Sequence, residues 1–103
     1  MNRRKIDQLG RVCIPIKVTR KLEAFEGQEM EIIMEYGRIC IKKFQRENIQ
    51  ERPYVGIVRK LDELNRLTIP RCYIDWLKIE LGTHVKLEFE NEIGVIRVTP
   101  LEI

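Results

Sequence analysis

Residues Asp62–Pro70 read DELNRLTIP, and residues Asp7–Pro15 read DQLGRVCIP. Both follow one pattern: Asp, an acid or amide, Leu, Gly or Asn, Arg, an apolar residue, any residue, Ile, Pro. Sliding the chain against itself by 55 positions extends the match to Arg4/Arg59, Lys5/Lys60, Leu22/Leu77, Gly27/Gly82, Glu35/Glu90 and Ile41/Ile96. The offset holds without a gap until the last hairpin. There Tyr36-Gly37-Arg38 faces Asn91-Glu92-Ile93-Gly94, and the register slips by about a residue. An offset kept over ~40 positions points to an internal duplication, in which neither unit buries its apolar face alone.

Each unit predicts the same elements in the same order. A first strand covers Arg4 to Leu9 and Val58 to Leu64. Gly10 and Asn65 follow, the residue types that best tolerate positive φ, so a left-handed tight turn is expected. On these backbone grounds Asn65→Gly is expected to be tolerated or mildly stabilising. A second strand covers Val12 to Ile14 and Leu67 to Ile69, which suggests a hairpin with the first. Pro15 and Pro70 then open a helix, where a missing N–H costs nothing. Val18, Leu22 and Phe25 in one unit, and Tyr73, Leu77 and Leu81 in the other, form apolar helical stripes. Gly27 and Gly82 are expected to end these helices. MEIIME and VKLEFE then pair with RICIKK and GVIRV across turns at Tyr36-Gly37 and Asn91-Glu92. Each unit is β-β-α-β-β. The boundaries are 1–44 for repeat 1, 45–55 for a polar linker (QRENIQERPYV), and 56–103 for repeat 2.

The bulk properties bound the function. A chain of 103 residues forms one domain, or two very small units sharing one core. Hydrophobic residues at 44% and charged residues at 34% fit a soluble globular chain. No apolar run approaches the ~20 residues of a membrane helix, and no apolar stretch of a secretory signal follows the basic start. Cys13, Cys40 and Cys72 form no CxxC pair. They are expected to be reduced, buried, small apolar residues of a cytoplasmic protein. His84 stands alone, so no metal site is expected. No phosphate loop, nucleophile elbow or paired-histidine motif is present, and neither a cofactor nor an enzymatic activity is expected. Tyr73, Trp76 and Phe89 fit a core better than a base-stacking surface, with Trp76 partly exposed at a protein contact.

Charge is uneven within the net +3. Residues 1–44 hold ten Lys/Arg against six Asp/Glu, while residues 56–103 hold seven against eight. Arg3, Arg4, Lys5, Arg11, Lys17, Arg20 and Lys21 crowd one stretch with a single acid, Asp7. Such a stripe either is a solvated face or binds phosphate by releasing counterions.

The phrase Arg-Lys-Ile/Leu-Asp-x-Leu-Gly/Asn-Arg-x-x-Ile-Pro resembles the AbrB/MazE/SpoVT family of bacterial DNA-binding domains. GIVRKLDELNRLTIP (Gly56 to Pro70) is especially similar to the start of AbrB-type transition-state regulators. The likeness covers nearly the whole chain, once per repeat. It implies a mostly β fold with two short helices, a swapped-hairpin β-barrel in which two β-β-α-β-β units interlock. It also implies a transcription regulator that holds double-stranded DNA through an arginine face with loose sequence preference. By the resemblance, DNA-binding residues are Arg4 and Arg59 on the first strands, Arg11 and Arg66 after the hairpin turns, and Arg20 with Lys21 on the helix. Thr19 takes half of the family's basic helical pair. Ile74 and Asp75 stand at the corresponding positions of repeat 2, which departs from the pattern. Lys5 and Lys60 alternate with Arg4 and Arg59 and are expected to point inward or along the sheet. Asp7 and Asp62 are expected to bond the turn or pair with an arginine.

Two arrangements satisfy the duplication: an intrachain pseudo-dimer, or a homodimer pairing like repeats. Two functional classes do likewise. One is a DNA-binding regulator; the other is an antitoxin-like or other protein-binding module on the same barrel. Antitoxins of this type carry an acidic tail after the barrel, whereas here TPLEI follows the last strand closely, which favours the regulator.

Overall fold

The computed structural model describes residues 2–46 and 56–101. Most of the proposed linker, residues 47–55, lies outside the described residues. The protein is mostly β with two short helices. Its order is β1 (Asn2–Lys5), β2 (Arg11–Cys13), α1 (Ile16–Leu22), β3 (Glu29–Glu35), β4 (Arg38–Lys43), β5 (Ile57–Lys60), β6 (Arg66–Thr68), α2 (Arg71–Trp76), β7 (His84–Glu90) and β8 (Val95–Pro100). The first strands are shorter than their sequence pattern suggested. Each stops at a lysine, because Asp7 and Asp62 turn the chain.

Strand pairing departs most from the sequence expectation. The first two strands of a half do not form a ladder with each other; Ile6 and Val12 make only an isolated bridge. Instead β1 pairs antiparallel with β7, and β5 with β3. β2 pairs with β6 in a separate two-stranded ribbon. The six-stranded sheet has the order β1-β7-β8-β4-β3-β5, is open, and has β1 and β5 as its edges.

The registers repeat at a fixed offset. Arg4 faces Val85, and 55 residues on, Arg59 faces Met30. Arg11 faces Thr68, and Arg66 faces Cys13. The loop bonds follow the same rule. Ile6 N donates to Thr83 O and Leu61 N to Gln28 O; Ile14 N donates to Asn65 O and Ile69 N to Gly10 O. The offset changes after the β3–β4 and β7–β8 hairpins. Glu35 pairs with Arg38 across a two-residue turn, whereas Glu90 pairs with Val95 across four residues. The difference is two residues. Ile41 and Ile96 are consequently cross-strand partners, and the sequence match between them is not an equivalence.

Both helices end earlier than the glycines. Glu23, with φ 55°, takes the left-handed position after α1, and Ala24 N donates back to Thr19 O. Lys78, also at φ 55°, does the same after α2, with Ile79 N donating to Ile74 O. These bonds satisfy the last carbonyls, so the stop does not need glycine. Gly27 and Gly82 instead donate to Leu61 O and Ile6 O of the opposite half. Phe25, expected on the α1 stripe, lies beyond the helix and is 70% exposed.

One core joins the two halves. Val12 and Leu67 line the inner face of the ribbon. They pack with Ile32, Ile39, Ile41, Val85 and Ile96 of the sheet and with Val18 and Ile74 of the helices. Side chains of this kind contribute about 1.5–3 kcal/mol each when fully buried. Cysteine burial was expected throughout, but only Cys40 is buried; Cys13 and Cys72 are exposed. Burial and the neighbouring Glu35 carboxylate push the Cys40 thiol pKa up, which leaves it protonated and inert.

Candidate nucleic-acid interface

The β2–β6 ribbon is built from Arg-Val-Cys against Arg-Leu-Thr. Side chains alternate along a strand, and directly opposed residues share a face. Val12 and Leu67 therefore point together into the core. Arg11, Cys13, Arg66 and Thr68 share the outer face. Arg11 opposes Thr68, so Arg66 is its diagonal neighbour, with Cα atoms about 7–8 Å apart for that geometry. Residues 55 positions apart are thus brought to one small surface. From the sequence Cys13 was expected to be buried and Thr68 was not singled out, although the alternation in RVC and RLT places both beside the arginines.

Each arginine is held by the aspartate of its own turn. Arg11 Nε donates to Asp7 Oδ2 at 2.7 Å, and Arg66 Nε to Asp62 Oδ2 at 2.7 Å. The other oxygen, Oδ1, accepts the backbone N–H of Arg11 and Leu9 in one turn and of Arg66 and Leu64 in the other. Gly10 at φ 80° and Asn65 at φ 64° close these turns as expected. Burial raises the two carboxyl pKa values, but the bonds from backbone N–H and guanidinium outweigh it. Both carboxyls lie below their ordinary value of 3.8.

The turn of each half docks on the helix of the other. Asn65 Nδ2 donates to Ile14 O at 2.6 Å and Thr19 Oγ1 at 3.0 Å. At the equivalent place Gly10 meets Ile74, whose Cδ1 would lie 3.1 Å from a Cβ on that glycine. These junctions fix α1 and α2 relative to the ribbon.

The other candidate residues lie on α1 and on the two edge strands. Arg20 and Lys21 are exposed in the last turn of α1. Arg20 borders a groove that also includes Cys13 of the ribbon, together with Ile16, Phe25, Leu64 and Asn65. Arg4 and Arg59 sit on the two edge strands, opposite buried Val85 and Met30. They therefore occupy the core-side face of the sheet at its margins. Arg4 is half-buried, whereas Arg59 is exposed and donates Nη1 to Val58 O. Lys5 and Lys60, expected to point inward or along the sheet, do not point inward but do lie on the face opposite Arg4 and Arg59. Both are exposed, on the face away from the core. Asp75, in the position equivalent to Arg20, accepts from Arg71 Nε at 3.0 Å, and both side chains are largely exposed.

Trp76 is 75% exposed, more than the sequence suggested, while Tyr73 and Phe89 pack against the core. Among the described residues, no group of His, Cys, Asp and Glu could hold a metal ion, and no helix is long and apolar enough to cross a membrane.

No protein-family model matches the chain. Over 42 residues the chain is 43% identical to the transition state regulatory protein AbrB of Bacillus subtilis (strain 168). That stretch is 41% of this chain and 44% of AbrB, so the chain spans less than half the length of the curated relative it matches. The solution structure of PHS018 from Pyrococcus horikoshii matches 97% of this chain and 86% of its own length. The TM-score is 0.53 at 20% identity, which is a likeness of fold. The chain is therefore similar in part of its sequence to AbrB, a transition-state regulator, and in its overall fold to PHS018.

Proposed function

We propose that this protein is a DNA-binding transcriptional regulator of the AbrB type. The observation that carries this reading is the placement of Arg11 and Arg66 on one outward face of the β2–β6 ribbon. A two-stranded ribbon fits the major groove, and a guanidinium can bind guanine or phosphate through two N–H groups. In this reading Arg20 and Lys21 on α1, and Arg4 and Arg59 on the edge strands, add contacts to the duplex. These six residues form the DNA-binding set. With few base readers, discrimination rests largely on duplex shape and deformability.

In this reading the two β-β-α-β-β repeats interlock within one chain as a swapped-hairpin barrel. The crossed pairing of β1 with β7 and β5 with β3 supports it, as does the constant offset of the registers. Light scattering at low micromolar concentration tests it. A protein that remains strictly dimeric on dilution argues for pairing between chains.

Mobility-shift titration against a pool of short duplexes, at two salt concentrations, tests DNA binding. Binding should weaken steeply with salt, and removing one phosphate contact should lower the slope by roughly 0.9. Folded protein that shifts no duplex at about 50 mM salt favours the second reading, a protein-binding module. That alternative draws on exposed Ile16, Phe25 and Leu64 around a groove of about 460 Å³.

A further inference from the structure

The cations of the candidate interface fall into two kinds. Arg4, Arg20, Lys21 and Arg59 have no carboxylate partner among the described residues. Arg11 and Arg66 are each clamped by an aspartate, and the two clamps share one geometry. Both Nε–Oδ2 distances are 2.7 Å, and both arginine side chains are 27% exposed. The clamps are themselves fixed. Each carboxylate accepts two backbone N–H groups, and the Asp backbone N donates to the arginine carbonyl at 3.0 Å.

A carboxylate beside a phosphate is repulsive, so a surface built only to grip the DNA backbone would gain by losing Asp7 and Asp62. Retaining them has a different physical effect. The ion pair cancels most of the arginine's pull on phosphate at long range. It also fixes the guanidinium plane through Nε, leaving the Nη1–Nη2 edge unused by the clamp. That edge carries the paired donors that match guanine O6 and N7. A guanidinium held in one plane also loses less side-chain freedom on binding.

We propose that Asp7 and Asp62 are specificity-determining positioning residues, which turn Arg11 and Arg66 from phosphate grips into readers of base edges. The inference rests on the DNA-binding reading above. It divides the labour at the interface: unclamped Arg4, Arg20, Lys21 and Arg59 supply salt-dependent affinity, and the clamped pair adds base readout to the discrimination that duplex shape provides.

The test uses the full chain and the tightest duplex selected from a random pool by the wild-type protein, with a scrambled duplex as control. Affinities for both duplexes are measured at two salt concentrations for wild type and for Asp7→Asn/Asp62→Asn, with melting temperature on the same samples. The double variant should bind the scrambled duplex more tightly, with a steeper salt slope. Its preference for the selected duplex should fall at least about fivefold, the lower end for one well-made arginine–guanine contact. Arg11→Ala/Arg66→Ala should also lose preference, but by weakening binding to the selected duplex. If the Asn variant fails to fold, Asp7→Ser and Asp62→Ser singly keep a turn acceptor while removing the clamp, and the same loss of preference is expected. Folded variants that keep the wild-type preference overturn the inference and leave the DNA-binding reading intact. Variants whose two affinities fall together with melting temperature also overturn it, since that is the mark of a purely structural role. A wild-type protein that shifts no duplex overturns the DNA-binding reading and this inference with it.

Discussion

The junction of Asn65 with Thr19 and its counterpart, Gly10 with Ile74, make the same contact by two different chemistries. On one side an amide donates to Ile14 O at 2.6 Å and to Thr19 Oγ1 at 3.0 Å. On the other, an isoleucine methyl fills the space that a side chain at Gly10 would need. The perturbation that tests this is Asn65→Gly, alone and combined with Thr19→Ile. The single change removes two hydrogen bonds, each worth about 0.5–1.5 kcal/mol net. It adds about 0.5–1 kcal/mol of unfolded-chain entropy, and relief of the left-handed strain at φ 64° offsets roughly that amount. The expected cost is about 1–3 kcal/mol, a fall in Tm of roughly 5–20 °C for a domain of this size. Thr19 is 4% exposed, so Thr19→Ile alone overpacks the site against Asn65, at about 1–3 kcal/mol. The double variant rebuilds the Gly10–Ile74 solution and should cost less than the sum by at least about 1 kcal/mol. Circular-dichroism melts and urea titrations of all four proteins complete the cycle. Additivity within about 0.5 kcal/mol would refute the equivalence of the junctions. A stabilised Asn65→Gly would refute the role of the amide bonds.

Other outcomes follow from the same geometry. Gly10→Val should lower Tm markedly, because a β-branched residue resists φ 80° and its Cβ would crowd Ile74; an unchanged melt would contradict the turn. Leu67→Ala should cost about 2–5 kcal/mol and unfold the chain in a single transition, since Leu67 lies in a core shared by both halves; two transitions would show separable halves. Asp75→Arg should tighten DNA binding at low salt with little change in Tm, because the exposed Arg71–Asp75 pair contributes at most about 1 kcal/mol; unchanged affinity in the folded variant would place α2 away from DNA. The Asp7 and Asp62 carboxyls titrate below their ordinary value of 3.8 in the fold. Their contribution is present above that value and is lost as pH falls through the folded pKa values. Asp7→Asn/Asp62→Asn should therefore lose less stability than wild type on acidification from about pH 5 to about pH 2, measured by urea titration at each pH.

Much of the local structure was legible in the sequence. The repeated DxLGR and DxLNR phrases announced both left-handed turns, since only glycine and asparagine suit that position cheaply. The same phrases announced the carboxylates that hold them. Alternation in RVC and RLT suffices to separate Val12 and Leu67 from Arg11 and Arg66 on opposite faces, although not to say which face is buried. Pro15 and Pro70 marked where the helices open. These features depend on residues within a turn or two of each other, and local sterics and hydrogen bonding suffice to set them.

The tertiary structure decided the partners. A period of two says which side of a strand is buried but not which strand lies beside it, so β1 pairing with β7 could not be read from β1. Both helices stop at non-glycine residues, because backbone bonds back to Thr19 and Ile74 satisfy their last carbonyls; Gly27 and Gly82 were left free to meet Leu61 and Ile6 across the halves. Phe25 kept its helical spacing but lost its helix, and so remained exposed. The assembly of Arg11 and Arg66 on one face is of this second kind. Two arginines 55 residues apart become neighbours only because the ribbon is made of one strand from each half, a contact set by burial of the shared core.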